Sequence, residues 1–307
     1  MHTISMATGN GNHEAQQTEE NFEQFYETWK KQQNQHLQEL ITASEQVSSP
    51  TPPTEGITAC SSSSPPPPTD GITATNLNNL VKRVVEHYEE YYKTKSEWAD
   101  KNILQILSPP WTSSLEDAFL WIGGWRPTMA IHLLYSKSSL QFESKFNDWM
   151  QGKLTKHDLG DLTESQISLI DELQKNTIIE EKEITGKMAK QQEKAAGADM
   201  VELSHLVSEA LREEEKGTKA RDHEAEQSQA ESSLSPKEKG FKKILEKADN
   251  LRLRTLKSII DALSATQAVH FLIAAAELHL RLHEWGKARD EGQLSGGAGH
   301  PIFRQEA

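Results

Sequence analysis

Two histidines one helical turn apart, in His279-Leu280-Arg281-Leu282-His283, have the spacing of a ligand set. Spacing of i and i+4 places both imidazoles on one side of a helix. Such a pair can ligate a metal, or offer an axial nitrogen to haem iron, where apolar surroundings exclude water. The same two residues also suit the C-terminal end of a helix, where the dipole favours imidazolium. No third ligand is visible, and His270 lies further back on the same helix. Other chemistry is sparse. There is no glycine loop to cradle phosphate, no nucleophile elbow and no cysteine-based zinc motif. Cys60 sits among Pro and Ser with no fixed partners for a catalytic thiol. The many carboxylates follow helix caps and solvated faces. No catalytic or metal-ligating residue is assigned, and a non-enzymatic protein is expected.

A second unusual stretch is Ser108–Pro127, which holds Trp111, Trp121 and Trp125, three prolines, Gly123-Gly124 and Arg126. Exposed tryptophan is costly and marks packing or binding. Pro109-Pro110 stops the preceding element. Ser113 with Glu116 reads as a capping box opening a short apolar helix over Leu115–Ile122. Gly123-Gly124 ends that helix or admits a close backbone, and Pro127 suits the first turn of a helix over Met129–Tyr135. The corner is either a buried helix-turn-helix or an exposed recognition surface. In the second case Trp125 and Arg126, beside the glycine break, are its candidate partner-binding residues.

Composition narrows the classes. With 35% hydrophobic and 26% charged residues, part of the 307-residue chain is expected outside a core. A net charge of −13 argues against the whole chain binding nucleic acid, which needs clustered Lys and Arg. One cysteine excludes an internal disulfide and fits a reducing compartment. No apolar run has the length of a membrane span, and no secretory signal or compact basic import signal is seen. A soluble intracellular chain, in nucleus or cytoplasm, follows as the expectation.

The elements that must position these residues read as helices throughout. Residues 1–20 are polar and expected to be disordered. The domain spans 21–286, beginning with an amphipathic helix carrying Phe22, Phe25, Tyr26, Trp29, Leu37, Leu40 and Ile41. A Pro/Ser/Thr-rich linker at 48–75 contains a near-duplicated Pro-Pro-Thr-Glu/Asp-Gly-Ile-Thr-Ala. A second stripe runs from Leu80 through Tyr88 and Tyr92 to Trp98, Ile103 and Ile106. Leu140–Met150 is a short amphipathic piece. Thr163 and Gln166 cap a helix with Ile170, Ile184 and Met188 on one face, extending toward Leu211. An acidic linker is expected at 213–234, then a helix started by Ser235-Pro236-Lys237-Glu238. Ser264 and Gln267 cap a last helix from Ala265 to about Trp285, ended by Gly286. That helix is apolar on several faces, so it belongs in the centre of the bundle. A flexible tail follows at 287–307. No strand pattern competes. The fold class is all-α, a bundle of long amphipathic helices.

Tyr88…Tyr92-Lys93-x-Lys95, Pro109-Pro110-Trp111, Leu115–Pro127 with its Trp-Ile-Gly-Gly-Trp-Arg-Pro string, and Ala248-Asp249-Asn250-Leu251-Arg252-x-x-Thr255-Leu256 together resemble the Delay of Germination domain of plants. The same domain forms the C-terminal half of TGA-type basic-zipper transcription factors. The resemblance covers about Asn21 to Gly286, interrupted at 48–75. It implies a plant regulatory protein in transcription, seed dormancy or developmental signalling. It implies a helical module for protein interaction and homo- or heterodimerisation, with type 2C protein phosphatases or transcription factors as partners. Haem binding is associated with the stand-alone branch, and His279 and His283 are where this sequence would host it. Sequence-specific DNA binding belongs to the TGA relatives, but no basic region or zipper is present here, so direct DNA contact is not expected. Three readings therefore stand: an interaction module, a sensor of haem or a small apolar ligand, and a DNA-binding protein.

Overall fold

A computed structural model describes residues 11–48, 69–150, 158–217 and 223–292, and among these every regular element is helical. Helix α1 is Gly11–Ser48, α2 Thr69–Ala99, α3 Ile103–Leu107, α4 Ser114–Ala118 and α5 Thr128–Met150. They are followed by α6 Glu164–Glu193, α7 Ala198–Glu215, α8 His223–Ala262 and α9 Ala265–Asp290. The expected all-α class is the observed one.

The core forms where the apolar stripes meet. Phe22, Tyr26, Trp29 and Leu40 of α1 pack with Leu80, Val84 and Tyr88 of α2 and with Val269, Phe271 and Leu272 of α9. Helix α9 touches α1, α2, α4 and α5, which is why apolar residues occur on several of its faces. Ile184, Ile244, Ala248 and Leu251 form a smaller core between α6 and α8. No described helix is long and apolar enough to cross a membrane.

Three capping boxes read from sequence are made as expected: Ser113 with Glu116, Thr163 with Gln166, and Ser264 with Gln267. Each hydroxyl accepts the N3 amide while the N3 side chain returns to the cap amide, satisfying donors that have no partner inside the helix. Other boundaries differ. Helix α4 stops at Ala118 instead of Ile122: Phe119 leaves the helix at φ −102°, ψ 2°, and Ile122 and Gly123 then turn to positive φ, 48° and 68°. Met129–Tyr135 and Leu140–Met150 are one continuous helix, α5. The long helix expected after Thr163 breaks at Gly197, where the backbone is extended, and resumes as α7.

The segments expected to be irregular are largely helical where they are described, with turns at 216–217 and 291–292. Gly11–Glu20 belongs to α1 and Thr69–Thr75 to α2, while 1–10 and 49–68 lie outside the described residues. The acidic stretch 213–234 contributes the end of α7 and the start of α8, with 218–222 outside the description. Its charge favours exposure and does not forbid a helix. Helix α8 then runs through Pro236, which the sequence pattern made a starting point. Proline keeps a helical φ but removes one backbone donor and crowds the carbonyl four residues back. The carbonyl so released belongs to exposed Ser232, open to water, and Lys237 Nζ donates to the neighbouring Ser233 carbonyl at 3.0 Å. Of the tail expected at 287–307, residues 287–290 continue α9 and 293–307 are outside the description.

Gly286 does not end α9, which continues to Asp290. It is the point where α9 meets α4: a Cβ added there would overlap Ser113 Oγ and lie 2.5 Å from Ser113 Cβ. Ser113 is fully buried and occupied as an N-cap, so it cannot yield. Gly286→Ala is expected to destabilise the fold by about 1–3 kcal/mol, the usual cost of overpacking. A chemical denaturation curve with an unshifted midpoint would contradict this contact.

Candidate functional site

The tryptophan corner is built by long side chains from two other helices. Trp121 N donates to the Gly124 carbonyl at 2.7 Å and Gly124 N returns to the Trp121 carbonyl at 3.3 Å. With both intervening φ angles positive, Ile122-Gly123 forms the two-residue loop of a type I′ turn. Isoleucine is β-branched and poorly suited to positive φ, a strain of about 1–3 kcal/mol that surrounding structure must override. The override is visible. Arg252 Nε donates to the Trp125 carbonyl at 2.6 Å, and its NH2 group donates to the carbonyls of Trp121 and Ile122. Lys95 Nζ donates to the Gly123 carbonyl at 2.7 Å. Asp249 accepts from both cations, from Lys95 at 2.8 Å, and neutralises them in the interior.

Both cations are buried, Arg252 at 0% and Lys95 at 2% exposure. Burial pushes the Lys95 ammonium down to about 8, with Asp249 holding it against a larger fall. Gly124 is required by the same clamp, since a Cβ there would sit 3.0 Å from Arg252 Cζ. At Gly123 a Cβ would meet the Ile106 carbonyl at 2.7 Å. Three of the four sequence strings that carried the resemblance are thus one structural unit. Lys95 on α2 and Asp249 and Arg252 on α8 hold the Trp-Ile-Gly-Gly-Trp backbone.

The tryptophans diverge from this turn. Trp111 is buried, 4.9 Å from the Phe22 ring. Trp121 lies under the Arg252 guanidinium at 5.2 Å and donates its indole N–H to Thr185 on α6 at 3.0 Å. Trp125 is half-buried and lines a cavity. Arg126 is exposed, and its Nε donates to Glu181 at 2.7 Å. Glu181 is buried and also receives the Thr128 amide at 2.7 Å, so it caps α5 while holding the arginine. Of the corner's other apolar residues, Phe119 is 51% exposed.

The cavity has a volume of about 220 Å³. Aromatic walls come from α1, α2 and the corner (Tyr26, Trp29, Tyr91, Trp111 and Trp125 among them), and Lys95, Glu116 and His279 contribute polar groups. Burial raises the Tyr88 hydroxyl to about 12 and lifts Tyr91 further.

His279 and His283 have different fates. His279 lines the cavity, with Nε2 3.2 Å from the Tyr26 hydroxyl. Burial lowers its imidazole to about 4, so it is neutral. His283 faces Lys30, whose Nζ lies 2.6 Å from Nε2. An ammonium only donates, so Nε2 accepts and the proton sits on Nδ1, which donates to Glu116 at 3.0 Å. Burial alone would raise Glu116, but hydrogen bonds from His283 and Ser113 outweigh it and hold the carboxyl at about 2. His283 therefore has no nitrogen free for iron. A volume of about 220 Å³ also falls below the ~300–1,000 Å³ usual for ligand pockets. Haem does not fit this arrangement, and among the described residues no cluster of three His, Cys, Asp or Glu could hold a metal.

Sequence reasoning overlooked Lys95, Asp249 and Arg252 as a unit, together with Lys30 and Glu116 around His283. The available signal was a lysine and an arginine falling on apolar stripes of α2 and α8.

A family model described as DOG1, seed dormancy control, matches residues 62–136, which include the corner. Protein DOG1-like 3 of Arabidopsis thaliana is 30% identical over 222 residues, covering 70% of this chain and 73% of that protein. Protein DOG1-like 4 of the same plant is 27% identical over 271 residues, covering 88% and 94%. Transcription factor TGA6 of Arabidopsis thaliana is 27% identical over 212 residues, covering 68% of this chain and 53% of TGA6. Extended similarity to the first relative, joined to the match across the clamped corner, means that this chain belongs to the DOG1-like family.

Proposed function

We propose that this protein is a non-enzymatic regulatory module of plant seed dormancy or transcription control, acting through protein–protein contact and dimerisation. The observation that carries the reading is the clamped corner. Two buried cations and a carboxylate are committed to one turn of backbone, and its outer side presents Phe119 and Arg126. A rigid exposed aromatic beside an arginine is the composition of an interaction hot spot. Further apolar residues stand exposed at Leu140 and Phe142 on α5 and at Val201 and Leu206 on α7, surface suited to a second copy or a partner helix. The relatives' printed roles in dormancy control and transcription supply the biological setting.

Type 2C protein phosphatases and transcription factors are the partners to test. Phe119→Ser is expected to weaken capture of a plant type 2C phosphatase or a TGA factor at least tenfold, with the melting curve unchanged, whereas Arg126→Glu, which sets a second carboxylate against buried Glu181, is expected to weaken capture and to lower the melting midpoint as well. Trp125→Ala, which alters the cavity wall beside the turn, is expected to weaken it less. A strictly monomeric mass in sedimentation, with no retention of either partner class by the wild type, would overturn the proposal. DNA binding alone is not expected: steep salt-dependent retention of the isolated protein on promoter DNA would replace this reading.

The aromatic cavity favours one second reading, a sensor of a small apolar molecule. Its test is quenching of tryptophan fluorescence by a neutral aromatic probe such as indole, which filling the cavity by Ala275→Phe should abolish.

A further inference from the structure

Helices α6 and α8 pack antiparallel, as the contacts of Glu180 with Arg254 and of Gln191 with the Lys237 carbonyl show at opposite ends. Between them runs a groove of about 230 Å³ with five lysines and no carboxylate in its lining. Lys187, Lys190 and Lys194 come from α6 and the turn after it, Lys243 and Lys247 from α8. Spacings of three and four put each set on one stripe. The floor is a fixed polar contact. Buried Gln191 donates to the Lys237 carbonyl at 2.7 Å and accepts from Lys194 at 2.9 Å, packed so closely on Gly240 that a Cβ there would displace it.

This concentration of positive charge occurs in a chain whose net charge is −13. Lys187 has only a distant partner, Glu183 at 3.7 Å. The side chains of Lys190, Lys243 and Lys247 make no ion pair or hydrogen bond among the described residues. Like charges at i and i+4 destabilise a helix slightly, so Lys243 and Lys247 would be relieved by an anion between the helices.

We infer that this groove binds a compact polyphosphate: several phosphates on a small scaffold, free or as the headgroup of a phosphorylated inositol lipid. Ammonium groups act as point-charge phosphate ligands, and a ring of them suits phosphates pointing in several directions. Size selects the ligand. The lysine stripes cover about 10 Å of α6 and its turn and about 6 Å of α8. Carboxylates close both ends, Glu183 at one and Asp199, held by Lys237, at the other. A long polyanion such as a nucleic acid or an acidic helix would overrun onto those carboxylates, whereas a compact one stays among the lysines.

The test is calorimetric titration of the full chain with inositol hexakisphosphate. Saturable binding is expected, weakening severalfold as salt is raised through ~0.1 M because the groove is open to solvent. The triple variant Lys190→Gln/Lys243→Gln/Lys247→Gln should lose at least tenfold in affinity with an unchanged circular dichroism melt, since none of the three has a partner to lose. An equal-charge control, Lys31→Gln/Lys93→Gln/Lys175→Gln, should bind as the wild type does. Absence of saturable binding, or equal losses in the two triples, would overturn the inference. Sedimentation with phosphatidylcholine vesicles carrying a phosphatidylinositol bisphosphate separates the sources. Retention competed by inositol hexakisphosphate assigns a lipid headgroup, and soluble binding without retention assigns a free polyphosphate.

Discussion

Replacing Arg252 with methionine is expected to cost about 3–5 kcal/mol of folding stability, the range for breaking a buried charge cluster by removing one partner. Methionine matches much of the arginine's length and apolar character, so the loss reports the guanidinium. Its removal takes the guanidinium donor from the carbonyls of Trp121, Ile122 and Trp125, leaving Trp121 only its turn bond from the Gly124 amide, and leaves Asp249 with Lys95 alone. It also frees Ile122 to leave positive φ, so the loss should be local as well as global. The measurement is a urea titration of the purified chain together with amide exchange. The midpoint should fall with little change in slope, and protection of the Trp121 and Gly124 amides should fall furthest. Arg252→Lys should lie between, because a lysine reaches one carbonyl where the planar guanidinium spans three. A loss below about 1 kcal/mol for the methionine variant would mean that the corner holds itself.

The second large effect is acid sensitivity from histidines kept neutral by burial. His87 stacks on Trp29 at 4.8 Å between α1 and α2, beside His36, and burial followed by the neighbouring imidazole lowers it to about 4. His279, against Tyr26, Trp29 and His283, is lowered to about 4 mainly by burial. A base whose folded value lies below its unfolded one stabilises the fold fully above the unfolded value, near 6.5, and loses that contribution as pH falls toward 4. Each histidine then contributes at most about 3 kcal/mol, less for His279, whose cavity-facing side meets solvent. Glu116 is lowered to about 2, so its own contribution persists until pH drops below about 4.5 and does not confuse the window. Denaturant titrations at about pH 7.5 and pH 4.5 should differ by several kcal/mol. His87→Gln should reduce that difference by about half. An unchanged pH profile in that variant would show that His87 accepts a proton without opening the α1–α2 interface.

Much of this architecture was legible in local patterns. Ser113, Thr163 and Ser264 announced their helices because capping is a contact over three residues, complete within the sequence window. The apolar stripes of α1, α2 and α9 named their core faces by periodicity. Helix ends governed by remote contacts were not legible. Gly286 looks like a terminator but is a place of close approach to Ser113, 173 residues earlier in the chain. Pro236 looks like a start, but the carbonyl it releases is on an exposed side, so the helix continues.

Residue types and spacing by themselves determined an all-helical chain, the caps, the unusual corner and the two histidines as chemistry worth testing. Only the tertiary structure decided what those residues do. It separated His279 from His283, because Lys30 and Glu116 arrive from α1 and α4 to occupy both nitrogens of the second. It joined Lys95 and Arg252, bridged by Asp249, to Trp121–Trp125 across as many as 131 positions. A charge on an apolar stripe is ambiguous in sequence, since its partners are set by which helices pack together. Once packed, a buried guanidinium must find acceptors, and here the acceptors are the carbonyls of the tryptophan corner.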